Sequence, residues 1–184
     1  MKALVFDWDD TLLPSSYIHQ QQHTKIDTLK DIEELIYQTL YVTLNTKCNV
    51  GVYIITNAAQ GWVQYSAARY MPKLLPLLRQ CNVISARHLY STKYINSPQR
   101  WKCLAMEEHI PDFVSQIISI GDSKYEREAA RAMCKNRWGC VSKSIKMVEK
   151  PSLQNLLEQL QVLVGQWDYI IDYEQGFDLM LQFT

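Results

Sequence analysis

Short apolar runs return at intervals along the chain: Ala3 to Phe6, Val52 to Ile55, Val83 to Ile84, Ile117 to Ile120 and, more weakly, Cys140 to Val141. They are continuous rather than alternating, the pattern of strands buried on both faces. The segments between them repeat apolar residues every three or four positions, as helices do. Ile26, Leu29, Ile32, Leu35, Ile36 and Leu40 make one such stripe, and Trp62 to Leu78 makes a second that Pro72 and Pro76 interrupt. Residues 98 to 109 open on Pro98, and 124 to 135 are rich in good helix formers. Strand and helix alternate about five times, which predicts an α/β, three-layer, doubly wound parallel sheet of about five core strands. After Pro151 an amphipathic helix runs to about Val164, and a mixed aromatic and acidic segment follows. Residues 151–184 are therefore expected to be a helical extension that closes the sheet flank within a single domain, 1–184, with docking of a partner as its alternative use.

In such sheets ligands bind beyond the carboxyl ends of the strands. Asp7, Thr56 and Asp122 each lie at the end of an apolar run or directly after one, so three separate regions aim polar groups at one edge. The first does so densely: VFDWDDTLLPSS, residues 5 to 16, puts Asp7, Asp9 and Asp10 within four positions. Without a cation that cluster repels itself.

Four motifs stand in a fixed order: Asp7-x-Asp9-x-Thr11, then Thr56, then Lys102 at the start of a helix, then Gly121-Asp122-x-x-x-Glu126. Together they resemble the haloacid dehalogenase (HAD) superfamily over residues 1 to 145, and the expected fold is that family's Rossmann-like core. The resemblance implies Asp7 as the nucleophile that forms an aspartyl-phosphate, with Asp9 as general acid and then general base. It implies Mg2+, held by Asp7, Asp122 and the backbone carbonyl of Asp9, because a dianionic phosphate and a carboxylate need a cation between them. Thr56, with Asn57 beside it, is expected to bind phosphoryl oxygens, and Lys102 to balance charge on the phosphoryl group and Asp7. Glu126, where many relatives have Asp, is one methylene longer and is expected to act with Ser123 behind the metal ligands or through water. Asp10 reads as a turn and cap residue. Trp8 either borders the substrate entrance or packs beneath the loop. His19 and His23 are spaced for one helical face, but their glutamine surroundings read as solvated. Arg100, Lys93 and Lys124 compete with Lys102 for its role.

Relatives of this kind select substrates through cap modules. Here residues 14 to 50 leave room for one helix and its approach, and the interval from Thr56 to Lys102 for a helix, the Val83 strand and a loop, so no large cap is expected. An open site suits a large substrate. Nineteen basic and nineteen acidic side chains cancel, which argues against nucleic acid. Eleven tyrosines and five tryptophans are compatible with a protein-facing surface. The preferred reading is a phosphoprotein phosphatase, with phosphotyrosine received between Trp8 or Tyr17 and the site. A small-metabolite phosphatase, with residues 14 to 23 or 88 to 97 as a partial lid, a phosphotransferase, and a non-catalytic protein-binding module on the same fold stay open. Cys48, Cys81, Cys103, Cys134 and Cys140 have no CxxC spacing and read as reduced thiols. The start MKALVFDWDD does not resemble a signal peptide, and no stretch reaches the ~18 to 20 apolar residues of a membrane helix. A cytoplasmic location is expected, with signal-independent secretion left open.

Overall fold

A computed structural model describes residues 1–20, 26–45 and 50–182. In chain order the elements are β1 (Lys2–Phe6), α1 (Ser15–Gln20), α2 (Ile26–Asn45), β2 (Val50–Thr56), α3 (Trp62–Tyr70), a 3-10 turn (Pro72–Leu74), α4 (Leu75–Leu78), β3 (Asn82–Ser85) and α5 (Ala86–Tyr90). There follow α6 (Pro98–His109), β4 (Gln116–Gly121), α7 (Lys124–Lys135), β5 (Val141–Lys146), α8 (Leu153–Gly165), α9 (Trp167–Asp172) and β6 (Phe177–Met180). All six strands run parallel in one sheet ordered β3-β2-β1-β4-β5-β6.

Successive strand residues face opposite ways, and the core divides accordingly. Leu4, Phe6, Ile54, Ile118 and Ile120 face the layer of α2, α3, α4, α8 and α9, while Ala3, Val5, Tyr53, Ile55 and Ile117 face that of α5, α6 and α7. The predicted stripe of α2 points inward at Leu29, Ile32, Ile36 and Leu40, all buried. The prolines of the second stripe act as expected: α3 stops at Tyr70, Pro72 opens the 3-10 turn, and Pro76 sits in the first turn of α4. The three-layer α/β reading holds.

Three details differ from the sequence reading. The approach to β2 carries two helices, α1 and α2, rather than one. The interval from Thr56 to Lys102 holds α3, α4 and α5 beside β3. The tail is not only helical: α8 covers the sheet through Leu156, Leu160 and Leu163, and β6 then joins the sheet as its sixth strand. Charge fixes that last strand. Asp178 accepts from Arg127 and Arg131 of α7 and from Ser144 Oγ of β5 (2.5 Å). Beside it the fully buried Lys143 donates to the Ile170 carbonyl (2.8 Å) at the carboxyl end of α9, where the helix dipole favours a cation. Burial pushes the Lys143 ammonium down to about 8. No helix among the described residues is long and apolar enough to cross a membrane. Cys81, Cys103, Cys134 and Cys140 are free and partly buried, and Cys48 lies outside the described residues.

Candidate functional site

The strand order reverses between β1, which has β2 on one side, and β4 on the other. A crevice forms at such a switch point, and there an open hollow of about 330 Å3 is lined by Asp7, Asp9, Asp10, Thr56, Asn57, Lys102, Asp122, Ser123 and Glu126. Of the residues expected at the site from the sequence, all but Trp8 and Tyr17 thus come to one place, and Tyr17 packs against the core instead.

Asp7 extends the β1 ladder, its N–H donating to Ile120 O (3.0 Å). The chain then coils tightly, with Leu12 N and Leu13 N both donating to Trp8 O (2.9 Å each). Asp10 takes the left-handed conformation that this coil requires, at φ 55°, a region Asp tolerates better than most residues. Its carboxylate accepts from Ser15 Oγ (3.3 Å), Ser16 N (2.8 Å) and Ser16 Oγ, so it caps α1, the role expected of it. Thr11 is fully buried, and its hydroxyl has no partner among the described residues.

Lys102 reaches in from the second turn of α6. Its Nζ lies 2.7 Å from Asp7 Oδ1 and also pairs with Glu126 Oε1. The three side chains are only 3%, 9% and 2% exposed, so this is a buried charge cluster. The competing cations are elsewhere: the Arg100 guanidinium and the Lys93 ammonium both lie over the Tyr94 ring, and Lys124 is exposed at the start of α7 and does not line the hollow. Glu126 is the third residue of α7 and completes a capping box with Ser123, accepting from Ser123 N (3.1 Å) and Ser123 Oγ (2.6 Å). Gly121 makes the fold-back possible, since a Cβ there would stand 2.4 Å from Glu126 Cγ.

A cation site fits this arrangement. Single carboxylate oxygens of Asp7, Asp122 and Glu126 lie within 4.8 Å of one another. Both Glu126 oxygens are engaged by Lys102 and Ser123, whereas the Asp122 carboxylate has no hydrogen bond among the described residues. Asp7 and Asp122 are therefore the acids with capacity to spare, and Glu126 holds Lys102 in place from behind. The electrostatics agree. Burial pushes the Asp7 carboxyl up to about 7 against the pull of the Lys102 ammonium. Burial and then the charges of Asp7 and Glu126 push Asp122 up to about 8. Burial also acts to raise Glu126, but Lys102 and Ser123 outweigh it and hold the carboxyl below its ordinary value. Burial acts to lower Lys102, but the two acids carry it above its ordinary value. Three carboxylates against one ammonium leave two negative charges, which protons or a divalent cation can balance.

The carboxylate of Asp9 is not in that cluster. It turns toward β2 and α3, accepting from Thr56 Oγ1 (3.3 Å) and from the Trp62 indole N–H (2.9 Å). Thr56 Oγ1 in turn accepts from Ala58 N (2.9 Å). The Asn57 side-chain N–H fastens the loop to α6 by donating to Pro98 O (3.2 Å), and its buried Oδ1 has no partner among the described residues.

Trp8 does not border the site. It is fully buried under the loop, its indole N–H donating to Ser66 Oγ (2.9 Å), so the packing alternative holds and the substrate-binding expectation is corrected. The aromatic ring that lines the hollow is Tyr125. Another aromatic group, which the sequence reading missed, reaches the site through its bond to Asp9: Trp62. It stacks on His19 (centroids 6.1 Å, 14°) and tilts against Tyr65 (6.0 Å, 32°). His19 is exposed and joins no cluster of metal-ligating side chains among the described residues, and His23 lies outside them.

Compared with family models, curated proteins and solved structures, the chain matches none.

Proposed function

We propose that this protein is a HAD-type, Mg2+-dependent phosphomonoester hydrolase whose substrate is a phosphorylated protein. The observation that carries the proposal is the pairing of Asp7 with Lys102 opposite Asp122 at the switch point of the sheet. A carboxylate held by a buried ammonium and facing surplus negative charge is what an anionic nucleophile working beside a divalent cation requires. Asp7 and Asp122 would hold that ion, together with the Asp9 backbone carbonyl that the HAD resemblance implies. Bound there, Mg2+ offsets the repulsion between a dianionic phosphate and the Asp7 carboxylate.

In the first step an Asp7 oxygen attacks phosphorus, the bond from phosphorus to the ester oxygen breaks, and the departing oxygen takes the proton of the Asp9 carboxyl. In the second step the Asp9 carboxylate takes a proton from water, the resulting hydroxide attacks phosphorus, and the bond from phosphorus to Asp7 breaks. Inorganic phosphate leaves and Asp7 is restored. Lys102 and Thr56 hold the non-bridging oxygens, and Trp62 and Thr56 orient Asp9.

The open hollow supports a large substrate, because neither interval that would carry a cap adds a separate domain among the described residues. Turnover of p-nitrophenyl phosphate with Mg2+ and with a chelator, in the wild type and in Asp7→Asn, tests the proposal. Release that needs the cation and falls roughly a thousand-fold or more in the variant is expected. Equal release in wild type and variant would sink it.

A further inference from the structure

A second hollow, of about 420 Å3, lies beside the first and shares Thr56 with it. Its place follows from how the site is polarised. Asp122 and Glu126 follow β4 on one side of Asp7, with Lys102 joining Asp7 to Glu126, whereas the Asp9 carboxylate turns to Thr56 of β2 and Trp62 of α3. On the phosphatase reading, Asp9 protonates the departing oxygen, so the organic part of the ester leaves on the Thr56 side. That is where the second hollow opens.

The hollow runs along β3, the terminal strand of the sheet. In a terminal strand every other residue points its backbone N–H and C=O away from the sheet, ready to pair with another chain. Gln60 and Gln64 form one wall, and His88 and Leu89 of α5 the other. Among the described residues no Asp, Glu, Lys or Arg lines it, and its ionisable groups are the imidazoles of His88 and His109. A polyanion such as an oligonucleotide finds no lysine or arginine there, while an extended peptide finds a strand edge, side-chain amides and the apolar Val83 and Ile84.

We infer that this groove docks the polypeptide that carries the phosphate, by adding a short extended segment to β3. The inference rests on the phosphatase reading and narrows it. Register sets the distance. Ser85 pairs with Thr56 across β3 and β2, and β1, which delivers Asp7, lies one strand further in. Strands are ~4.8 Å apart, so a segment added outside β3 runs roughly 14 Å from β1. At ~3.3 Å per residue the chain needs about four residues to cross from the groove to Asp7, and about three where a phosphotyrosine side chain spans part of the gap. Recognition therefore falls on residues about three or more positions from the phosphorylated one, through their backbone.

The test uses the full chain and three substrates: a ten-residue phosphotyrosine peptide, free O-phosphotyrosine and p-nitrophenyl phosphate. Two added strand hydrogen bonds are worth roughly tenfold to a hundredfold, so kcat/KM for the peptide should exceed that for the free amino acid by at least about tenfold. N-methylation of backbone amides three or more positions from the phosphotyrosine should remove that gain. Gln64→Trp and Leu89→Arg, on opposite walls, should each lower the ratio of peptide to p-nitrophenyl phosphate turnover by a similar factor. A peptide no better than the free amino acid, indifference to N-methylation, or better turnover of a 5′-phosphorylated oligonucleotide would overturn the inference. Absent turnover of p-nitrophenyl phosphate would count against the phosphatase reading alone. Docking is then read by hydrogen exchange in Asp7→Asn: slowed exchange of residues 82–85 on adding the peptide supports it, and unchanged exchange overturns it.

Discussion

Removing the Lys102 ammonium while keeping its bulk, as in Lys102→Met, would leave the Asp7 and Glu126 carboxylates buried together without their common cation. Those side chains are 9% and 2% exposed, so water replaces little of the lost pairing. Breaking a buried ion pair from one side costs about 3–5 kcal/mol. In a chain of this length each kcal/mol moves Tm by roughly 2–4 °C, so the variant should melt roughly 6–20 °C below wild type at pH 8. The effect has a definite pH sign. Lys102 lowers the carboxyls of both Asp7 and Glu126, so without it their folded-state values rise above the unfolded ones. A raised carboxyl contributes stability while protonated and loses it as pH climbs through its folded value. The deficit should therefore be largest near pH 8 and shrink toward pH 5, where both acids can take protons. Thermal melts of the two proteins by circular dichroism, in chelator across that range, measure it. A Tm loss under about 2 °C at pH 8, or an equal loss at pH 5 and pH 8, would refute the reasoning.

Gly121→Ala should push Glu126 out of its place against Lys102 and Ser123, at a cost of about 1–3 kcal/mol in chemical denaturation, and an unchanged midpoint would contradict the close approach. Trp62→Phe removes the N–H that orients Asp9, so kcat on p-nitrophenyl phosphate should fall about tenfold with KM little changed. Asp7, raised to about 7, and Asp122, raised to about 8, carry protons that a cation must displace. Mg2+ affinity should thus rise between pH 6 and pH 8.5 with proton release near pH 7, read by calorimetry in buffers of different ionisation enthalpy; pH-independent binding would contradict it.

Much of this site was legible because parallel strands buried on both faces read as unbroken apolar runs, and Asp7, Thr56 and Asp122 stand where those runs end. The bounds of α6 and α7 were equally plain from Pro98 and the helix-forming run after Ser123. Ser123-x-x-Glu126 is also a capping-box signature, which would have placed Glu126 against the start of its own helix. Other features depend on partners far away in sequence. Trp8 is buried because Ser66, 58 positions on, receives its N–H, and nothing near Trp8 distinguishes that from an entrance role. Phe177 to Met180 reads poorly as a strand because Asp178 interrupts it, and that acid makes sense only beside Arg127 and Arg131. Trp62 gave one faint signal, a large aromatic at the first turn of the helix that follows Thr56, and its bond to Asp9 spans 53 positions.

The most direct test of the central claim is to look for phosphate on Asp7 itself. The protein would be mixed with radiolabelled phosphotyrosine peptide and Mg2+, quenched in acid within a single turnover, and digested. Label on the peptide that contains Asp7, released by hydroxylamine and missing from Asp7→Asn, is the predicted result. Turnover of the same substrate with no label on that peptide, or with label retained in Asp7→Asn, would contradict an aspartyl-phosphate route through Asp7.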